Sequence, residues 1–255
     1  MQLPTTNLLQ SDDLVLTAEQ WSLITNLIYS YDERKLIVLA RQFLDSTDPT
    51  NHQALVNEFF MKIYEMTGIY IRSNSDFRLL SPDDRSAFVR NIAENVYCLG
   101  TAFTWEQSQI HKSLSFIDLF HNIYGQDLLN SMQQILKYID ADFVTAKLAL
   151  SIFAFCNCTS MFSPQKTNGP LNSQAIARIQ NMYTNVIWKY LVHKFGYRQA
   201  IERFNRLIQC LLAAITTISN IQNLSKHVED IGTLVEQTEL LFVIDDIEHI
   251  DENKN

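Results

Sequence analysis

Glycine and proline are scarce in this chain, 6 and 5 among 255 residues. Sandwiches and barrels turn every few residues and draw on both, so the composition favours helices over an all-β architecture. Cysteine is sparse too. Cys98, Cys156, Cys158 and Cys210 include no C-x-x-C pair, which fits neither a zinc module nor a disulfide framework. They read as buried reduced thiols in a reducing compartment. Basic charge is in deficit: a net charge of −8 and a pI near 5.2 leave no basic face for a phosphate backbone, so no direct nucleic-acid grip is expected. The most apolar run, Leu148 to Cys156, is too short to span a bilayer, and no membrane association is expected. The start, MQLPTTNLLQSDD, lacks a basic region followed by an apolar core, so no signal peptide is expected. The motifs H-E-x-x-H, G-x-S-x-G, the P-loop and G-x-G-x-x-G do not occur. Asp83-Asp84 and Asp245-Asp246 both lack the third aspartate of a D-D-x-x-D magnesium motif. The 6 histidines are scattered, none paired at metal spacing. The chain reads as a non-enzyme with no cofactor and no metal.

What is present is apolar periodicity. Apolar residues make up 47% and aromatics 11%, enough for a sizeable core. Thr17 and Gln20 form a capping box ahead of a stripe at Trp21, Ile24, Leu27, Ile28 and Tyr31. A second helix runs to Leu44. A long one follows from Asn51 to about Ser73, with Leu55, Val56, Phe59, Phe60, Ile63, Met66, Ile69 and Tyr70 as its apolar positions. Ser81, Pro82 and Asp84 then open a helix over 82–104 that is apolar or small on most faces, which places it in the middle of the fold. Residues 105–126 suit a short turn or two-stranded hairpin near Gln107–Ser115 and a short helix near Phe116–Ile123. Helices are expected from Gln126 to Tyr138 and from Phe143 to about Cys156, the latter capped by Asp140 or Asp142. Ser163 to Asn172 is the clearest loop, and Asn172 or Ser173 starts the next helix, which Gly196 breaks. From Tyr197 to about Ser225 the spacing predicts the longest helix. Gly232 separates it from a tail with an apolar cluster, Leu240 to Ile247, and an acidic end. The organisation is a loose lead-in over 1–16, one helical domain over 17–249 and an acidic tail over 250–255.

The stretch Gly68 to Glu106 resembles the signature of the nuclear receptor ligand-binding domain: a helix ending in Arg72, the crossing Phe77-Arg78-Leu79-Leu80, then Asp84 and Arg90. Two departures stand out, Arg85 where the family usually has Gln and no proline in Ser73–Asp76. Leu16, Thr17, Glu19, Leu23 and Ile24 are similar to the family's first helix, and Arg203-Phe204-Asn205-Arg206-Leu207-Ile208 to its Arg-Phe-x-x-Leu-Leu. The resemblance implies an all-α, three-layer antiparallel helical sandwich of about 10–12 helices acting in the nucleus as a transcription regulator. It implies a site where Arg72 and Arg90 grip one end of a coregulator LxxLL helix and Asp246, or less well Glu239, grips the other. It also implies a pocket for a small lipophilic ligand at Val56, Phe59, Phe60, Ile63 and Thr67, with Tyr97, Thr101 and Thr104 as polar points. Gly100 or Thr104 stands where many family members carry an arginine for acidic ligands, so a side-chain-filled pocket is an alternative. A homo- or heterodimer face is expected at Phe204, Leu207, Leu211, Ala214 and Ile218. The alternatives from the residues alone are a ligand-independent helical adaptor and, last, an all-α enzyme.

Overall fold

The structure, a computed structural model, describes residues 15–46, 48–156 and 173–252; the side chains of Pro49, Ser173 and residues 245–252 are not described. The lead-in before Val15, the expected loop Ser163–Asn172, Cys158 and the side chain of Asp246 therefore lie outside the described part. Among the described residues every regular element is helical, so the chain is all-α. In order these are α1 (Ala18–Ser30), α2 (Arg34–Asp45), α3 (Pro49–Ser73), α4 (Ser75–Arg78), α5 (Pro82–Ser108), α6 (Leu114–Tyr124), α7 (Gln126–Tyr138), α8 (Phe143–Ala154), α9 (Ser173–Ile221) and α10 (Ser225–Glu252).

Side-chain caps set the starts. Thr17 and Gln20 exchange backbone and side-chain hydrogen bonds of 3.2 and 3.1 Å at α1. Asp48 accepts from the Thr50 N–H at 2.9 Å, ahead of Pro49. Ser81 accepts from Asp84 at 3.2 Å, with Pro82 at the first helical position. Asp142, not Asp140, caps α8 by accepting from Thr145 at 3.0 Å. Each such bond satisfies a backbone donor that the helix leaves open and is worth about 1 kcal/mol.

Between α5 and α6 the chain forms one 3-10 turn, Ile110–Lys112, entered through Gln109 at φ 58°. The hairpin alternative is thereby excluded. Gly196 adopts φ 74° and breaks α9 into two limbs. Gly232 does not break the last element, because α10 runs straight through it. Glycine in a helix costs about 1 kcal/mol. Burial of His227, Ile231, Leu234 and Thr238 along the same helix offsets that. The helical backbone continues to Glu252, beyond the expected start of the tail at 250.

Helix α5 is the centre. Every residue from Asn91 to Trp105 is buried, and α2, α3, α7, α8, α9 and α10 all pack on it. Its amides also finish a neighbour. Asn95 Nδ2 donates to the Phe153 and Cys156 carbonyls at 2.8 and 2.6 Å, and Asn91 Nδ2 to the Cys156 carbonyl at 2.9 Å. These carbonyls end α8, where the helix has no partners of its own. A second buried tie joins α8 to the α1–α2 turn. Lys147 Nζ meets Glu33 at 2.6 Å and the Tyr31 carbonyl, over the rings of Tyr31, Phe103 and Phe143. Among the described residues no single helix is long and apolar enough to cross a membrane.

Candidate functional site: the α3–α5 surface under α10

Helix α10 lies along both α3 and α5. Four contacts fix its course. Near its start, His227 reaches Tyr64 of α3 and Glu94 of α5, both at 2.8 Å. Further on, Leu234 and Thr238 pack over Gly68 of α3. Glu239 then accepts from the Ser86 hydroxyl of α5 at 2.7 Å. Phe242 finally packs on Phe77, ring centroids 5.6 Å apart, under the Arg85 guanidinium. The order of partners shows that α10 runs parallel to α3 and antiparallel to α5.

This course places the expected basic pair. Arg72 is one turn beyond Gly68, on the α3 face turned toward α10. Arg90 lies one turn from Ser86 and one turn from Glu94, on the α5 face turned toward α10. Arg72 is half-buried and Arg90 exposed. The chain's own α10 passes between the two faces. Glu239, the weaker anionic candidate, is engaged with Ser86. Asp246 belongs to the backbone of α10, but its side chain is outside the described set.

The expected ligand pocket is core. Val56, Phe59, Phe60, Ile63, Thr67, Tyr97, Thr101 and Thr104 are all buried. Phe59 packs edge-on against Phe60 and Phe116 at 5.6 and 6.3 Å. The three threonines are satisfied within their own helices: Thr67 donates to the Ile63 carbonyl at 2.9 Å, Thr101 to Tyr97 at 2.7 Å and Thr104 to Gly100 at 2.8 Å. Phe60, Tyr97 and Thr101 border a cavity of about 20 Å³, shared with Phe120, Tyr124 and His227. Such a space holds a water molecule, not a lipophilic ligand. Val56, Phe59, Ile63, Thr67 and Thr104 do not line it.

Tyr97 and His227 of the cavity wall belong to a buried polar cluster. Tyr64 and Tyr97 stack at 4.3 Å, and the His227 ring lies 4.9 Å from that of Tyr97. Burial holds both phenols well above their ordinary range. Glu94 and His227 are likewise almost fully buried. Sequence reasoning missed this cluster, because a lone His and a lone Glu 133 positions apart carry no spacing signal. His227 falls one turn before Ile231 on the buried face of α10.

The chain matches no known family pattern and no curated protein.

The expected dimer face is largely packed within the chain. Leu207, Ala214 and Ile218 are buried within the chain, while Phe204 and Leu211 are half-buried. Phe204 packs edge-on against Trp188 at 5.7 Å. That set of residues is turned mainly inward on α9. Among the described residues no group of three His, Cys, Asp or Glu could hold a metal ion.

Proposed function

We propose that this chain is a regulatory docking module, akin to a nuclear receptor ligand-binding domain in three-layer helical form, that regulates transcription in the nucleus through a partner helix and needs no small ligand to hold its shape. One observation carries the ligand-independent part: the cavity bordered by Phe60, Tyr97 and Thr101, at the expected ligand site, measures only about 20 Å³. Support also comes from α10, which is fixed to α3 and α5 by the chain's own side chains, His227, Leu234, Glu239 and Phe242. The partner is an LxxLL-type helix. Its apolar side chains would lie along α3 and α5, with a guanidinium at its carbonyl end, where a cation suits the helix dipole.

The test is titration of a labelled LxxLL peptide against the wild type and Arg90→Glu. The expected result is saturable binding that the substitution weakens about tenfold, the scale of one lost charged contact. Equal affinity for both proteins refutes the basic clamp. One observation favours a second reading, a helical adaptor without such a groove: α10 already occupies the space between the faces that carry Arg72 and Arg90. Absence of peptide binding to either folded protein supports that reading instead.

A further inference from the structure

Beyond the break at Gly196, α9 runs antiparallel to α7. Asn220 donates to Ser131 at 2.7 Å at one end, and Arg206 to the Ile139 carbonyl at 3.4 Å at the other. Between these ties the two helices leave an open groove of about 460 Å³, within the size range of ligand-binding clefts. Ser131 and Ala213 are small, which leaves room for a main chain to come close. The walls carry amides and hydroxyls: Asn130, Gln134 and Tyr138 from α7, Gln209 and Thr216 from α9. No lining residue is charged, in a chain that is 19% charged, so the groove suits neither an ion nor a charged side chain. Among the described residues the Gln134 and Gln209 amides and the Tyr138 hydroxyl have no hydrogen-bond partner. Asn130 uses only its carbonyl, which accepts from Gln126 at 2.8 Å.

We infer that this groove binds an extended, uncharged peptide segment of another protein by its main chain. A side-chain amide offers both an acceptor and donors, the set that matches the N–H and C=O of a peptide unit. Spacing selects the extended form. Asn130, Gln134 and Tyr138 recur one turn apart, about 6 Å at 1.5 Å per residue. In an extended peptide the groups that face one side recur every second residue, about 6.4–6.8 Å. The two rows therefore stay in step over the roughly 12 Å from Asn130 to Tyr138, the length of about four peptide residues. A partner helix bonds its own backbone internally and would leave these amides without partners. Leu212, exposed by 58%, offers an apolar contact to one side chain of the peptide. Main-chain bonds then supply affinity and the alternate side chains supply selection. Four residues bury far less than a standard interface, so dissociation is expected at about 10–100 µM. This site lies on α7 and α9, apart from the α3–α5–α10 surface, and does not rest on the receptor-like reading.

The test selects a phage-displayed library of random heptapeptides on the immobilised full chain and then measures the selected sequence, as a synthetic peptide, by fluorescence polarisation. The selected sequences are expected to share an uncharged stretch of about four residues. Gln134→Ala and Gln209→Ala should each weaken the synthetic peptide about three- to tenfold, the scale of one neutral hydrogen bond. Methylating its main-chain nitrogens one at a time should weaken binding by about tenfold at alternate positions, those turned toward the α7 row. Both glutamines are exposed, and far-UV circular dichroism with thermal melting establishes that each variant is folded. Selection that enriches no sequence overturns the inference. So does a selected peptide indifferent to both glutamine substitutions, or one indifferent to methylation at every position. Selection of LxxLL peptides alone, weakened by Arg90→Glu and spared by Gln134→Ala, also overturns it while supporting the basic clamp, so failure of one reading is told apart from failure of the other.

Discussion

Replacing His227 with phenylalanine tests what holds α10 in place. The imidazole lies between Tyr64 of α3 and Glu94 of α5, with one ring nitrogen on each at 2.8 Å. The Glu94 and His227 side chains are exposed by only 3% and 2%. Phenylalanine fills a similar volume, so the cavity contribution is small. What remains is the loss of partners. A carboxyl left buried without its partner costs roughly 3–5 kcal/mol. The orphaned Tyr64 hydroxyl adds about 1–3 kcal/mol. Relaxation of the surface helix toward water reduces the total, so we expect about 3–5 kcal/mol, a large share of the 5–15 kcal/mol that holds a typical domain. Glu94→Leu alone should cost less, about 1–2 kcal/mol, because it leaves a ring nitrogen unpaired rather than a carboxyl. The double substitution should cost less than His227→Phe alone, since no buried carboxyl is left behind. Urea denaturation followed by circular dichroism gives the free energies, and hydrogen exchange of α10 shows whether it loosens ahead of the core. A loss below about 1 kcal/mol for His227→Phe, or strict additivity of the two substitutions, would refute the reasoning.

The two buried glycines should behave oppositely. A Cβ on Gly100 would stand 2.5 Å from the Tyr31 hydroxyl, a rigid and fully buried ring, so Gly100→Ala should lower stability by about 1–3 kcal/mol in urea denaturation. A Cβ on Gly68 meets only the flexible end of Leu234 at 2.9 Å, and the helix gains about 1 kcal/mol from alanine, so Gly68→Ala should leave the melting temperature nearly unchanged. Burial lifts the phenols of Tyr31, Tyr64, Tyr70, Tyr97 and Tyr183 above their unfolded value of 10.0. Below that pH both states keep these protons. Above it the unfolded chain releases them first, so stability should fall as the pH climbs past about 10. Absorbance at about 295 nm, the phenolate band, should then rise together with loss of helical signal for these groups; ionisation of all five at intact helicity would contradict it. The Cys98 and Cys210 thiols, raised by burial, the latter to about 12, should react with a disulfide reagent only after unfolding.

Most of the fold was legible because local rules decide it. Thr17 with Gln20, Ser81 with Pro82, and Gly196 each act through their immediate neighbours, and each does in the structure what its chemistry dictates. The central position of α5 followed from apolar and small residues on most of its faces. Gly232 misled because propensity weighs about 1 kcal/mol, less than the burial of Ile231 and Leu234 on either side of it. The seam of α9 leaves its cover open for another reason. A four-and-three apolar period marks a face that is covered, and it is silent on whether the cover comes from the same chain or another. Leu207, Ala214 and Ile218 are covered by the same chain. Ile208, which the same four-and-three period includes, is exposed instead.

The polar interior was not legible at all. Lys147 directly precedes the most apolar run of the chain, yet it is buried against Glu33 and three aromatic rings. Glu94 sat among apolar neighbours with nothing to mark its partner. Buried charged and polar groups are tolerable only as pairs, and such pairs form between elements far apart in sequence. Both pairs here join a terminal element to an inner helix: Glu33 with Lys147 ties the α1–α2 turn to α8, and His227 with Glu94 ties α10 to α5. Apolar burial alone would let those elements slide along the core, since it has no direction. The hydrogen-bonded pairs fix their register. The α3–α5 surface thus owes its present shape to an α10 that is pinned at His227, and a partner helix that reaches Arg72 or Arg90 must either fit beside that strap or displace it.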